Sequence, residues 1–200
     1  MNRRAFAKAG VAAAMSPLLL AEAARAVPFT TRGKEYFTDA VLRTQDNRPV
    51  RFYTDLLKGK RVLLNFVFVG CTDICDSVTA NLAVVQEMLG DRMGRDIFMY
   101  SITLMPEFDT PEVLKAYADR FHVKPGWSFL TGAPADVEKL RHRLGFADID
   151  PARDADIFQH AAMLRIGEEP LDRWAMAAAL LPSERLFETI NRLLPPPGHG

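Results

Sequence analysis

Cysteine is scarce in this chain. There are two among 200 residues, Cys71 and Cys75, only four positions apart. Two thiols are too few for a disulfide scaffold and too few for a four-thiolate zinc site. Histidine is sparse as well, with four copies. An excess of one charge is also missing. The 25 basic residues balance 25 acidic ones, so the electrostatic footprint of a nucleic-acid binder is absent and no nucleic-acid partner is expected. With 48 % hydrophobic and 25 % charged residues, the composition excludes disorder and collagen-like structure.

The first 26 residues read as an export signal. Asn2-Arg3-Arg4-Ala5-Phe6-Ala7-Lys8 is a positive start with a twin-arginine pattern, and thirteen uncharged residues follow from Ala9 to Ala21. That run is shorter than the ~20 apolar residues a membrane-spanning helix needs. Ala24-Arg25-Ala26 supplies a small-x-small cleavage pattern, so cleavage is expected after Ala26, by the twin-arginine route. The expected location is periplasmic, or membrane-associated if the signal is retained. Cleavage would leave 21 basic and 24 acidic residues, a net charge of about −3 that carries no message about partners. At the other end, Pro195-Pro196-Pro197-Gly198-His199-Gly200 cannot continue a helix.

Residues 27–200 show no repeat and no linker, and are expected to form one monomeric domain with its core over about 37–194. Residues 37–53 read as two short strands around a turn at Asp46-Asn47, an N-terminal hairpin. Val62 to Val69 is a nearly continuous apolar, β-rich run, the pattern of a strand buried on both faces. From Asp73 to Met93, Ile74, Val78, Leu82, Val85, Met88 and Leu89 recur at helical spacing, with Gly90 and Gly94 to end the helix. A second buried strand follows over 96–104. Asp109-Thr110-Pro111-Glu112 opens a helix to about Phe121. A short strand (127–130), a helix (135–144), two strands (160–166 and 171–176) and a helix from Ser183 complete the chain. Strands separated by helices, then a hairpin and a closing helix, predict an α/β fold with a mixed sheet.

The cysteine pair sits where the first buried strand ends and the long helix begins. That is the crevice of an open α/β sheet, where ligands bind. The helix N-terminus carries partial positive charge and free N–H groups, which favour a thiolate. Residues four apart on a helix have Cα atoms about 6 Å apart, close enough for a disulfide or for sharing one soft metal ion. A structural disulfide, a redox-active pair and two metal ligands all remain open. The spacing does differ from the three-residue step of the ordinary thioredoxin site. A stable metal site needs a third ligand. Of the histidines, His142 lies between two arginines on a helix, His122 follows a helix end and His199 is in the tail. His160 precedes an apolar strand, Ala161 to Ile166, and reads either as a hydrogen-bonded structural histidine or as a ligand.

Several segments together resemble the SCO/SenC copper-binding assembly proteins, in the family's order and over roughly residues 37–194. They are Gly59-Lys60, Phe66 to Cys75, Ser101-Ile102-Thr103, Pro106 to Pro111, Gly126 to Gly132, and His160. The resemblance implies a thioredoxin-like fold, a central mixed β-sheet flanked by helices. It also implies one copper ion, Cu(I) or Cu(II), held by Cys71, Cys75 and His160. Members of the family act in maturing the copper centre of respiratory cytochrome oxidase. The implied partner is therefore a copper-receiving oxidase subunit or another copper chaperone, and the implied role is a metallochaperone more than an enzyme. The alternative is a periplasmic thiol–disulfide oxidoreductase in which Cys71 and Cys75 are the redox pair, Cys71 attacks and a thiol reductant is the partner.

The chain departs from the family pattern in places. Asp76 and Thr72 stand where proline often follows each cysteine, and Met105 stands where an aspartate is usual. Asp76 puts a negative charge beside Cys75, favouring a bound cation. Met105 is read as a core or rim residue that could lend a thioether to the site, and Met163 as pointing away from it.

Overall fold

A computed structural model describes residues 32–70, 74–156 and 162–198. The export-signal reading, Cys71, His160 and His199 fall outside these residues. Among the described residues seven strands form one sheet. They are β1 (Val41–Thr44), β2 (Pro49–Arg51), β3 (Arg61–Val67), β4 (Ile97–Thr103), β5 (Trp127–Gly132), β6 (Met163–Glu168) and β7 (Arg173–Ala178), in the order β2-β1-β5-β4-β3-β6-β7. β3, β4 and β5 run parallel, while β1 joins β5, and β6 joins β3, in antiparallel register. This is the expected mixed sheet, and β1–β2 is the expected hairpin on one edge.

Helices cover both faces. α2 (Ile74–Leu89), α3 (Pro111–Arg120) and α6 (Ser183–Leu193) pack on one face, and α1 (Gly33–Phe37) and α4 (Pro134–Arg143) on the other. The near-continuous apolar run of β3 has the physical reason foreseen. Leu63 and Val67 face the α2 side, whereas Val62, Leu64 and Phe66 face the α4 side, so both faces are covered. The moment of burial alternates in β6 as well: Leu164 and Ile166 join the α2-side core, and Met163 packs on the α4 side.

Three features depart from the expectations. Phe52–Leu57 forms a single π-helical turn that buries Phe52, Tyr53, Leu56 and Leu57, where the sequence suggested only the end of a strand. The last two strands lie two to three residues later than their apolar pattern suggested, with Gly167 and Glu168 inside β6 and a 3-10 turn, Glu169–Leu171, in the connection. A short helix, α5 (Pro151–Asp154), capped by Asp150 accepting from Ala152 N at 3.0 Å, interrupts the loop after α4. Gly94 and Gly126 meet where the chain enters β4 and β5. A Cβ on Gly126, whose φ is +94°, would lie 2.4 Å from Gly94 N, so only glycine fits. Among the described residues no helix is long and apolar enough to cross a membrane.

Candidate metal centre

β3 ends at Val67 in the middle of the sheet, and Phe68-Val69-Gly70 carry the chain over its C-terminal edge toward α2. Cys75 is the second residue of α2. It is 3 % exposed and belongs to the α2-side core with Val67, Phe68 and Val78. Its position in the first turn, at the carboxyl ends of the parallel strands, is the one the sequence pointed to.

The carboxylate of Asp76 does not stand alone beside that cysteine. Arg120 of α3 donates to Asp76 Oδ1 at 2.6 Å, and the same guanidinium lies 4.9 Å over the ring of Tyr117 and 4.8 Å over that of Phe121. The negative charge foreseen at this position is therefore already paired. Tyr117 is buried, with its hydroxyl 3.0 Å from Thr79 Oγ1. Burial pushes its phenol above the ordinary range, and the neighbouring Asp76 and Cys75 push in the same direction, so the hydroxyl keeps its proton.

A second carboxylate braces the segment before the cysteines. Asp109 is 3 % exposed, and its Oδ2 accepts from Thr103 Oγ1 at 2.5 Å and from Val69 N at 3.2 Å. Thr103 Oγ1 in turn accepts from Met105 N at 2.9 Å. This buried network ties the end of β4 to the residues that follow β3. Sequence reasoning treated Asp109 only as part of a helix start. The cap is Thr110, which accepts from Val113 N at 3.4 Å. Two capping residues in a row before Pro111 were the available signal that one of them had another task. Met105 packs against the same core as Cys75, in agreement with its reading as a core or rim residue.

His142 and His122 are exposed, as expected. His142 lies 2.8 Å from Glu138, and with Asp154 they form one clustered set of metal-capable side chains. Arg141 already occupies it. Its guanidinium reaches Glu138 Oε1 at 2.8 Å and Asp154 Oδ2 at 2.7 Å, and Asp154 also accepts from Asp148 N at 2.6 Å. This clamp holds the α5 loop against α4. The hydrogen bonds from Arg141 pull the Asp154 carboxyl from 3.8 down to about 2. A depressed carboxyl stabilises the loop above its ordinary pKa and loses that contribution as pH falls. The Asp148 amide resonance is therefore expected to titrate with a midpoint near 2, and Arg141→Met to move that midpoint up toward 3.8. A wild-type midpoint at the ordinary value would refute the clamp.

Residues 37–193 match the family model described as SCO1/SenC. The chain belongs to the SCO1/SenC family. Among curated relatives, the SCO2-like protein RP587 of Rickettsia prowazekii is 40 % identical over 89 residues, which are 44 % of this chain and 42 % of the relative. The chain thus spans about two fifths of the length of the curated relatives it matches first. Solved structures of the family share the fold. A SCO1/SenC family lipoprotein from Bacillus anthracis is 25 % identical with a TM-score of 0.61, covering 76 % of this chain and 91 % of that one. Bradyrhizobium japonicum ScoI with copper bound is 24 % identical with a TM-score of 0.61, covering 78 % and 97 %. The thioredoxin-like fold expected from the resemblance is the fold of this SCO1/SenC member, hairpin included.

Proposed function

We propose that this chain is an exported copper carrier that loads copper during assembly of a respiratory cytochrome oxidase, binding one ion through Cys71, Cys75 and His160. Family membership supports the copper role, together with a solved family structure that holds copper. The observation that carries the site is Cys75, buried in the first turn of α2 at the mouth of the sheet. Binding a soft metal ion would take that sulfur as a thiolate, the form in which cysteine ligates metals. Asp76, the next residue, is paired with Arg120 at 2.6 Å.

The donor chemistry fits the cargo. Two thiolates suit Cu(I), and an added imidazole nitrogen lets the same set accept Cu(II). β6 runs antiparallel to β3, so its first residues lie beside the end of β3, and His160 precedes that strand by three positions in the sequence. Export before function, with cleavage after Ala26 and a periplasmic destination, belongs to the same reading. Soft-metal delivery to a respiratory complex requires the chain on that side of the membrane.

The direct test titrates the reduced chain, residues 27–200, with Cu(I) and with Cu(II) against chelators of known affinity. One equivalent of each is expected to bind, with a sulfur-to-copper charge-transfer band for Cu(II). Absence of stoichiometric binding of either ion would overturn the proposal.

A further inference from the structure

The parallel strands open at their N-terminal ends too, on the other face of the sheet and far from Cys75. A groove of about 720 Å³ lies there, within the range of small-molecule sites. Phe98 and Tyr100 of β4 and Ser128 of β5 form its floor. Arg48, Lys60 and Arg95 stand on its rim, and among the described residues no aspartate or glutamate lines it. Gly94 and Gly126 close its base.

The nearby acids are committed elsewhere. Arg48 has a loose contact with Asp46 at 3.8 Å, and that carboxylate is shared with Lys115 at 3.8 Å. Asp55, close to Lys60, is held by Arg51 at 2.7 Å. Lys60 Nζ donates to the Asp55 carbonyl at 2.5 Å and lies 4.7 Å over the Phe98 ring. Burial pushes its ammonium below the ordinary value. The guanidinium of Arg95 has no partner among the described residues. Tyr100 is 4 % exposed, yet nothing among the described residues hydrogen-bonds its hydroxyl. Burial pushes that phenol up, so it stays a donor. That hydroxyl lines a cavity that is positively charged at the rim.

We propose that this groove binds a small organic anion, a carboxylate or phosphate on a planar apolar body. The head sits between Arg95 and Lys60 and accepts from Tyr100, and the body lies on Phe98. The site is independent of the copper reading, since it occupies the opposite end and the opposite face of the sheet.

The test titrates the ¹⁵N-labelled chain with 2-naphthoate, 2-naphthyl phosphate, the neutral 2-naphthamide and inorganic phosphate. One of the two naphthyl anions is expected to bind at or below about 1 mM and to move the amides of Lys60, Arg95 and Gly126. The tighter of the two identifies the head group. The neutral amide and inorganic phosphate are each expected to bind at least about tenfold more weakly. Arg95→Gln should weaken the anion about tenfold and Tyr100→Phe about threefold, with copper binding unchanged in both. Equal binding of the neutral amide or of phosphate alone, indifference to Arg95→Gln, shifts clustered elsewhere, or no binding would each overturn it.

Discussion

Cys75→Ser is expected to abolish stoichiometric copper binding in both oxidation states, and His160→Ala to separate the two. Loss of the imidazole should weaken Cu(II) by more than about a hundredfold, because groups that merely orient a ligand already cost 10–100-fold when removed. Cu(I) should weaken far less, by about tenfold, since two soft thiolates satisfy most of its demand. The measurement is a chelator competition run separately for each ion, with the Cu(II) charge-transfer band as a second readout. Cys75→Ser also removes a buried sulfur from the α2-side core, so its apo melting temperature must be recorded beside the copper result. The hydroxyl is smaller and more polar than the thiol, so the fold is expected to stay intact at a lower melting temperature. The rival reading, a thiol–disulfide oxidoreductase, makes the opposite prediction for the histidine. There, His160→Ala leaves reduction of a partner disulfide intact, and either cysteine substitution abolishes it. Cu(II) affinity unchanged by His160→Ala would refute the three-ligand site and favour that rival.

Where one local pattern decided the structure, the sequence was legible. The β3 run had to be buried on both faces, and the 3.6-residue recurrence from Ile74 to Leu89 had to be a helix with one apolar face. Those two elements alone placed the cysteine segment at the mouth of the sheet. Contacts between distant segments were not legible. Nothing in the neighbourhood of Asp76 announces that Arg120, forty-four residues on, answers its charge. Asp109 carries the same signals as an ordinary helix cap, and its inward turn follows only from the packing of β3 beside β4. The π-helical turn over Phe52–Leu57 was hidden for a related reason. Its four buried apolar side chains serve the core of the α4 face, and six residues are too short a window for their helix-like spacing to stand out from the end of a strand.

Asp109→Ala is expected to cost about 3 kcal/mol. Both of its bonds converge on one oxygen, Oδ2, which accepts from the Thr103 hydroxyl at 2.5 Å and from Val69 N at 3.2 Å. Alanine leaves the Thr103 hydroxyl, wholly inaccessible to water, and the half-buried Val69 amide without their acceptor. An unsatisfied buried donor costs about 1–3 kcal/mol, and the half-buried amide adds a smaller loss to it. For a chain of this size the melting temperature should fall by roughly 6–12 °C. Asp109→Asn keeps an oxygen at the same position and loses only the charge, so it should cost about 1 kcal/mol. The ordering matters more than either value. Val69 is two residues before Cys71, and Asp109 is the brace that holds its backbone against the end of β4. If that brace positions the copper ligands, Asp109→Ala should also weaken Cu(II) by about tenfold, while Asp109→Asn leaves it near wild type. Equal melting temperatures for the two variants would show that the carboxylate does not brace the segment. A large thermal loss with unchanged copper affinity would confine its role to the fold.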